Sequence, residues 1–230
     1  MITSPQNAKL KLIRKLLDSR RQREKEGLFV CEGEDLVDAA AEAGIEPVEL
    51  LVAGEDVAPA LIAELSTLAH PPRVLGIYRR SDLPRGVADV TLALWHVGDP
   101  GNVGTLLRTA DAFGAGVALS AGCADATGPK SLRASAGAIF RVPLAAFDEA
   151  PRPWIGLMAH SDRSEGLSLG HGQMTLVLGG EREGLPAAVA ARCDELATIP
   201  LAPHAESLNV AAAGAIALYE ARRPVTPTGA

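Results

Sequence analysis

From residue 90 onward the chain repeats one unit: a short run that is apolar at nearly every position, then a segment of helical periodicity. The runs are "VTLALWHV", "GVALSA", "RVPLAAF", "WIGLMAH", "TLVLGG" and "ELATIPL". A strand with no polar face is buried on both sides, and strands separated by helices are joined by crossovers. This pattern specifies an α/β fold with a parallel sheet covered on both faces. Only 3% of residues are aromatic although 47% are hydrophobic, so the core must be built from Ala, Val, Leu and Ile. Small side chains of that kind let helices pack closely against a sheet.

The first third reads as a smaller α/β unit of the same alternating kind. A helical stretch over 6–25 leads to the strand "LFVCE", the helix "EDLVDAAAEAG" stopped by Gly44, and the strand "VELLVA". The helix "APALIAELSTLA" and the strand "RVLGIY" complete it. The polar, Pro/Gly-containing segment "RRSDLPRGVAD" (79–89) has no periodicity and reads as a linker. The expected division is therefore 1–82 and 83–230.

Charge is unevenly spread. Residues 1–26 hold eight Lys/Arg against three acids, a net of +5, so the overall −6 leaves −11 on the remainder. A basic N-terminal arm on an acidic body is a candidate surface for nucleic-acid phosphates, with Lys9, Arg14, Arg20, Arg21 and Arg23 as its contacts. The bland alternative is a solvated helix face. Three widely spaced cysteines without a CxxC pair argue against a disulfide framework or a metal site. The first 30 residues lack a signal-like apolar stretch, and no apolar run approaches the ~18 residues of a membrane span. A cytoplasmic protein without a membrane partner is expected.

Three glycine-rich segments follow strands. In "GDPGNVGTLLRTADAFGAG" (98–116), Asn102 is placed to cap a helix over 103–113 that Gly114 stops, with Thr105 and Arg108 off its apolar face. The spacing is neither GxGxxG nor GxxxxGK[ST], which excludes a dinucleotide-type dehydrogenase and a Walker ATPase. "TLVLGGEREGLP" sets Gly179, Gly180 and Glu181 at the carboxyl end of a strand, where open α/β sheets collect ligands. "IPLAPHAESLNVAAAGAIALYE" joins a strand to an almost wholly apolar helix, with Ser207 available as cap and Asn209 inside the helix. Taken singly, each segment also has an ordinary structural reading.

Together the segments resemble the SpoU (TrmH) family of RNA 2′-O-ribose methyltransferases in the SPOUT superfamily. N-x-G-x-x-x-R is matched by Asn102, Gly104 and Arg108, and G-x-E-x-x-G-L by Gly179, Glu181, Gly184 and Leu185. I-P followed by S-L-N-V is matched by Ile199, Pro200, Ser207, Leu208, Asn209 and Val210. "LRASAGAIFRVP" resembles a further family stretch at Arg133, Ser135, Gly137 and Phe140. "EGLFVCEGEDLV" looks like the family's L30e-like substrate-binding domain. The chain departs from the pattern at "LAPHAE", where a glycine is common, and at Ala211.

The resemblance implies a deep trefoil knot within roughly 175–222, a homodimer, and S-adenosylmethionine as cofactor. It implies cofactor contacts from Ala159, His160, Leu178, Gly179, Gly180, Glu181, Ile199, Leu201, Ser207 and Leu208. Arg108 would act on the ribose hydroxyl, assisted by Asn102, Glu181, Ser207 and Asn209. Arg133 and Ser135 would join the RNA-contacting set, and no metal is implied. The implied reaction is RNA 2′-O-methylation, with 23S rRNA favoured over tRNA because a separate N-terminal unit suits a target inside a large structured RNA. A non-catalytic RNA-binding protein is the competing class.

Overall fold

The computed structural model describes residues 1–159, 169 and 172–223. The N-terminal unit runs α1 (Ala8–Asp18), α2 (Arg20–Glu26), β1 (Leu28–Glu32), α3 (Glu34–Glu42), β2 (Glu49–Val52), α4 (Pro59–Leu65) and β3 (Val74–Arg79). Its sheet is antiparallel, in the order β1-β3-β2. The single helix expected over 6–25 is two helices. Ser19 leaves helical geometry, and its side chain accepts from the Gln22 N–H to start α2 afresh. Leu10, Ile13, Leu16 and Leu17 form the buried stripe of α1, which packs with α4 on one face of the sheet.

The second unit comprises β4 (Val90–Trp95), α5 (Pro100–Ala112), β5 (Gly116–Leu119), α6 (Pro129–Ser135) and β6 (Leu144–Ala146). After these come β7 (Trp154–Met158), β8 (Met174–Gly179), the short α7 (Ala187–Ala190), β9 (Glu195–Thr198) and α8 (Val210–Arg222). Among the described residues its sheet has the order β6-β5-β4-β8-β7-β9, and every pairing is parallel. The buried-strand pattern thus gave the right sheet: Val90–Leu94 and Met174–Leu178 have no exposed residue. From β4 the chain winds outward through β5 to β6 on one side, while β8 lies on the other. The crevice between the carboxyl ends of β4 and β8 is therefore a topological switch point, where sheets of this kind bind ligands.

Helix α5 begins earlier than expected. Asp99, not Asn102, is its N-cap, accepting from the N–H groups of Gly101 and Asn102, and Pro100 supplies the preset φ of the first turn. Gly104 sits where α5 crosses α6. A Cβ there would lie 2.4 Å from the Ser131 carbonyl oxygen and 2.5 Å from the Ala134 methyl, so only glycine permits this approach. The C-terminal stop is as expected, with Gly114 at φ +62.

The two units share an apolar seam in which Phe29, Cys31, Leu36, Ala39 and Tyr78 join a cluster containing Leu132, Ala138 and Phe140. Two buried carboxylates bolt it. Asp125 accepts from Arg23 Nε at 2.7 Å and from Thr127 Oγ1 at 2.8 Å, with Arg80 at 3.4 Å. Reciprocally, Glu32 accepts from Ser66, from the Thr67 N–H and hydroxyl, and from Arg133. Burial pushes the Asp125 carboxyl up, but the Arg23 and Thr127 hydrogen bonds outweigh it and hold it below the usual carboxylate range. A carboxyl with a depressed folded-state value stabilises the fold above its unfolded value of about 3.9 and loses that contribution as pH falls through the folded value. Asp125→Ala, which strands Arg23, is expected to cost about 3–5 kcal/mol at pH 7. In urea unfolding the gap from wild type should narrow as pH falls below about 4.

Candidate active site at the carboxyl ends of β4 and β8

Each motif segment delivers one polar group to the switch-point crevice. The carboxyl end of β8 passes through Gly179 and Gly180 to Glu181, and the first turn of α5 presents Asn102 from the far side. Glu181 Oε1 accepts from Asn102 Nδ2 at 2.8 Å and from the Asp99 N–H at 3.1 Å, while Oε2 accepts from the Gly98 N–H at 3.2 Å. Burial pushes the Glu181 carboxyl up, yet these donors, the Asn102 amide foremost, leave it below the usual carboxylate range. It is an ionised anchor whose oxygens are engaged, and therefore a poor base.

Asn102 in turn accepts from Asn209 Nδ2 at 3.1 Å. Asn209 lies just outside helix α8, not within it: it is the N-cap, accepting from the N–H groups of Ala211 and Ala212, and Ser207 leaves the cap role to it. One chain of hydrogen bonds, Glu181–Asn102–Asn209, ties together residues 107 positions apart in sequence. The two asparagines read from sequence as a cap and a buried helical polar residue are linked side by side.

Beside this chain lies a cavity of about 500 Å³. Its walls include Ala159, Leu178, Gly179, Gly180, Glu181, Ile199, Leu201, Ser207 and Leu208, with Asn209 and Val210 at the start of α8. Of the residues expected at a cofactor, His160 alone lies outside the described residues. The lining combines the glycine backbone of 179–180 and 184 with apolar side chains such as Leu178, Ile199 and Leu201, and with the charged Arg182 and Glu183. A Cβ on Gly179 would fall 2.0 Å from the carbonyl carbon and oxygen of Gly184, and one on Gly180 would fall 2.5 Å from the His96 carbonyl oxygen. The turn 180–184, closed by the Gly184 N–H donating to the Gly180 carbonyl at 2.9 Å, folds back onto the strand only because those side chains are missing.

Arg108 is exposed on α5 and does not line the cavity of its own chain. Thr105, one turn before it, is exposed too, with its hydroxyl donating to the Gly101 carbonyl. Of the contacts expected in the basic arm, Lys9 pairs with Glu49, Arg14 with Glu64, and Arg20 with Glu24 and the Cys123 carbonyl, while Arg21 is exposed.

Two expected RNA contacts are corrected by burial. Arg23 is 5% exposed, donating to Asp125 and to the Leu16 and Leu17 carbonyls at the end of α1. Ser135 is fully buried, its hydroxyl donating to the Leu132 carbonyl. Arg133 keeps a partly exposed guanidinium that also donates to Thr67. Sequence reasoning missed Asp99, although Asp followed by Pro is itself a helix-start signal. It also missed Asp125, which carries no local signal.

A backbone-lined cavity beside a switch-point crevice, on a parallel sheet with helices packed against it, defines an α/β protein built to hold a small polar ligand against loop backbone. The sequence pattern of the SpoU rRNA Methylase family matches residues 89–219, and that of the MRM3-like substrate binding domain matches residues 7–77. The chain belongs to the SpoU rRNA Methylase family. It is 31% identical to the 23S rRNA (guanosine(2553)-2′-O)-methyltransferase RlmP of Bacillus subtilis, over 96% of this chain and 98% of the relative. The crystal structure of the AdoMet-bound rRNA methyltransferase from Sinorhizobium meliloti superposes with a TM-score of 0.84 at 29% identity, covering 98% of both chains. The SpoU methyltransferase AviRb from Streptomyces viridochromogenes, in complex with AdoMet, gives 0.82 at 28% identity over 95% of this chain and 98% of that one.

Proposed function

We propose that this chain is an S-adenosylmethionine-dependent RNA 2′-O-ribose methyltransferase acting on 23S rRNA. The observation that carries the reading is the Glu181–Asn102–Asn209 chain set against a glycine-walled cavity. The cavity's make-up suits the cofactor: loop N–H and C=O groups can grip an adenine or ribose edge only where Cβ atoms are absent, as at Gly179 and Gly180. When bound, the cofactor supplies an electrophilic methyl group for the ribose oxygen. The chain's own residues have to align that oxygen and lower the cost of removing its proton. Positioning of this kind is worth about 7–11 kcal/mol of barrier.

Arg108 carries a permanent cation that clamps the neighbouring phosphate and stabilises the developing oxyanion. Glu181 fixes Asn102, Asn102 fixes Asn209, and the exposed Ser207 contributes a hydroxyl at the cavity wall. Because Arg108 stands off the cavity of its own chain, the arginine acts on the cofactor of a second copy in a homodimer. The exposed Ile216 and Tyr219 on α8 support that surface, at 40% and 56% exposure.

The chain divides at 82/83 into an L30e-like substrate unit and a SPOUT unit, a point bracketed by the two family matches. The trefoil knot belongs to roughly 175–222, where the turn 180–184 and α8 meet around the cavity. The cytoplasm, where ribosomal RNA is found, is its place of action.

Incubation with methyl-labelled S-adenosylmethionine and separate pools of 23S rRNA and tRNA tests the reading. Label on a ribose 2′-oxygen of 23S rRNA is expected. Label confined to tRNA would reassign the substrate, and RNA binding without transfer would mark a degenerate enzyme.

A further inference from the structure

A cavity of about 830 Å³, distinct from the cofactor site, lies in a cleft between the two units. One wall carries Arg20 and Arg80. The other is formed by the segment 83–87 and the β5–β6 edge of the sheet, and it carries Arg85. We propose that this cleft is a phosphate-binding channel through which the RNA strand reaches the switch-point crevice; the inference rests on the methyltransferase reading above.

Of the cleft's two carboxylates, Asp125 is ion-paired and Glu149 is hydrogen-bonded to backbone. Asp125 gives one oxygen to Arg23 and the other to Arg80 and Thr127, and Glu149 accepts the Ala146 N–H at 2.8 Å. Outside the lining, Glu24 pairs with Arg20. The arginines, by contrast, keep donors in reserve. Among the described residues Arg80 bonds through Nη1 alone, and Arg20 uses Nε and Nη1, leaving Nη2. Arg85 is exposed, and its side chain makes no hydrogen bond among the described residues. Its backbone is nonetheless fixed: the Leu144 N–H donates to the Pro84 carbonyl and the Gly86 N–H to the Leu144 carbonyl, both at 3.0 Å. An array of guanidiniums on a pinned frame, within a chain of net charge −6, is what a polyanion selects.

The cleft also leads to the right place. Its lining includes Ser120 at the end of β5, whose hydroxyl accepts the His96 N–H at 2.9 Å. His96, at the end of β4, lines the crevice together with Asp99 and Glu181.

The test uses the full chain and 23S rRNA, with Arg20→Ala, Arg85→Ala and their double variant, leaving Arg80 in place because it braces Asp125. Binding is followed between about 50 and 200 mM salt, where each lost phosphate contact should flatten the log–log slope by about 0.7 for a single strand. Each single variant is expected to weaken RNA binding several-fold and raise the RNA KM, with kcat at saturating RNA and cofactor affinity retained. A double variant with wild-type affinity and slope that still methylates RNA overturns the channel and leaves the enzyme reading intact. A wild-type chain that transfers no methyl group to any RNA overturns the reading beneath it.

Discussion

Replacing Arg108 with alanine is expected to lower methyl transfer to 23S rRNA by about 10²–10³-fold or more, the cost of removing one preorganised charge from a developing oxyanion. Cofactor binding, measured by calorimetry, should stay near wild type, because the arginine's charge is directed at the ribose hydroxyl and the neighbouring phosphate, not at the cofactor. Stability should be unchanged as well, since the side chain is exposed on a helix whose buried face is formed by Val103, Leu106, Leu107 and Ala110. Arg108→Lys retains the charge but not the planar fork, and should recover only part of the rate. If cofactor affinity fell as steeply as the rate, the arginine's role on the ribose and phosphate would fail, whereas a wild-type chain that is active while sedimenting as a monomer would overturn the two-copy arrangement.

The second large effect is expected at Gly179. Its position at the end of β8 puts a notional Cβ 2.0 Å from the Gly184 carbonyl and 2.3 Å from the Leu185 nitrogen. Those are backbone atoms, so no rotamer change can relieve the clash; the turn 180–184 must move. Overpacking ordinarily costs about 1–3 kcal/mol, and a backbone-on-backbone clash belongs at or beyond the upper end. Gly179→Ala should therefore lose cofactor binding outright and lower the thermal midpoint by several degrees. The turn also carries Glu181, so the tie to Asn102 should break with it. Wild-type cofactor affinity in this variant would show that the turn is free to open and that its glycine is not a packing requirement.

The contrast between these positions separates two kinds of legibility. The central strands β4 and β8 could be read from the sequence because burial on both faces leaves them almost wholly apolar, a property each segment displays alone, whereas β6 and β9 at the sheet edges are partly exposed. The stop at Gly114 was legible for a similar reason, since a left-handed residue after a helix is a local demand. Asn102 was legible as a helix cap and Asn209 as a polar residue in an apolar helix, but neither in the role it takes. Asp99 outcompeted Asn102 as cap, and Asn209 took the cap from Ser207. Capping is decided by which side chain finds the free N–H groups, and neighbours one to three residues apart compete on nearly equal terms.

The basic arm taught the opposite lesson. Arg23 shares its composition signal with Arg20 and Arg21, yet it is buried against Asp125 while they remain at the surface. A charge count registers the arginines and is blind to a carboxylate 102 residues away.

By itself the sequence determined the class of fold, the position of the three loops, and the family whose motifs they match, because each rests on local periodicity or on residues within one segment. The tertiary structure alone decided that β4 and β8 are neighbours, so that Glu181, Asn102 and Asn209 form one hydrogen-bonded chain beside one cavity. It also decided that the arginines of two units face a common cleft. These are pairings between distant segments, fixed by sheet order and close packing, and no short stretch of sequence carries the energy that selects them.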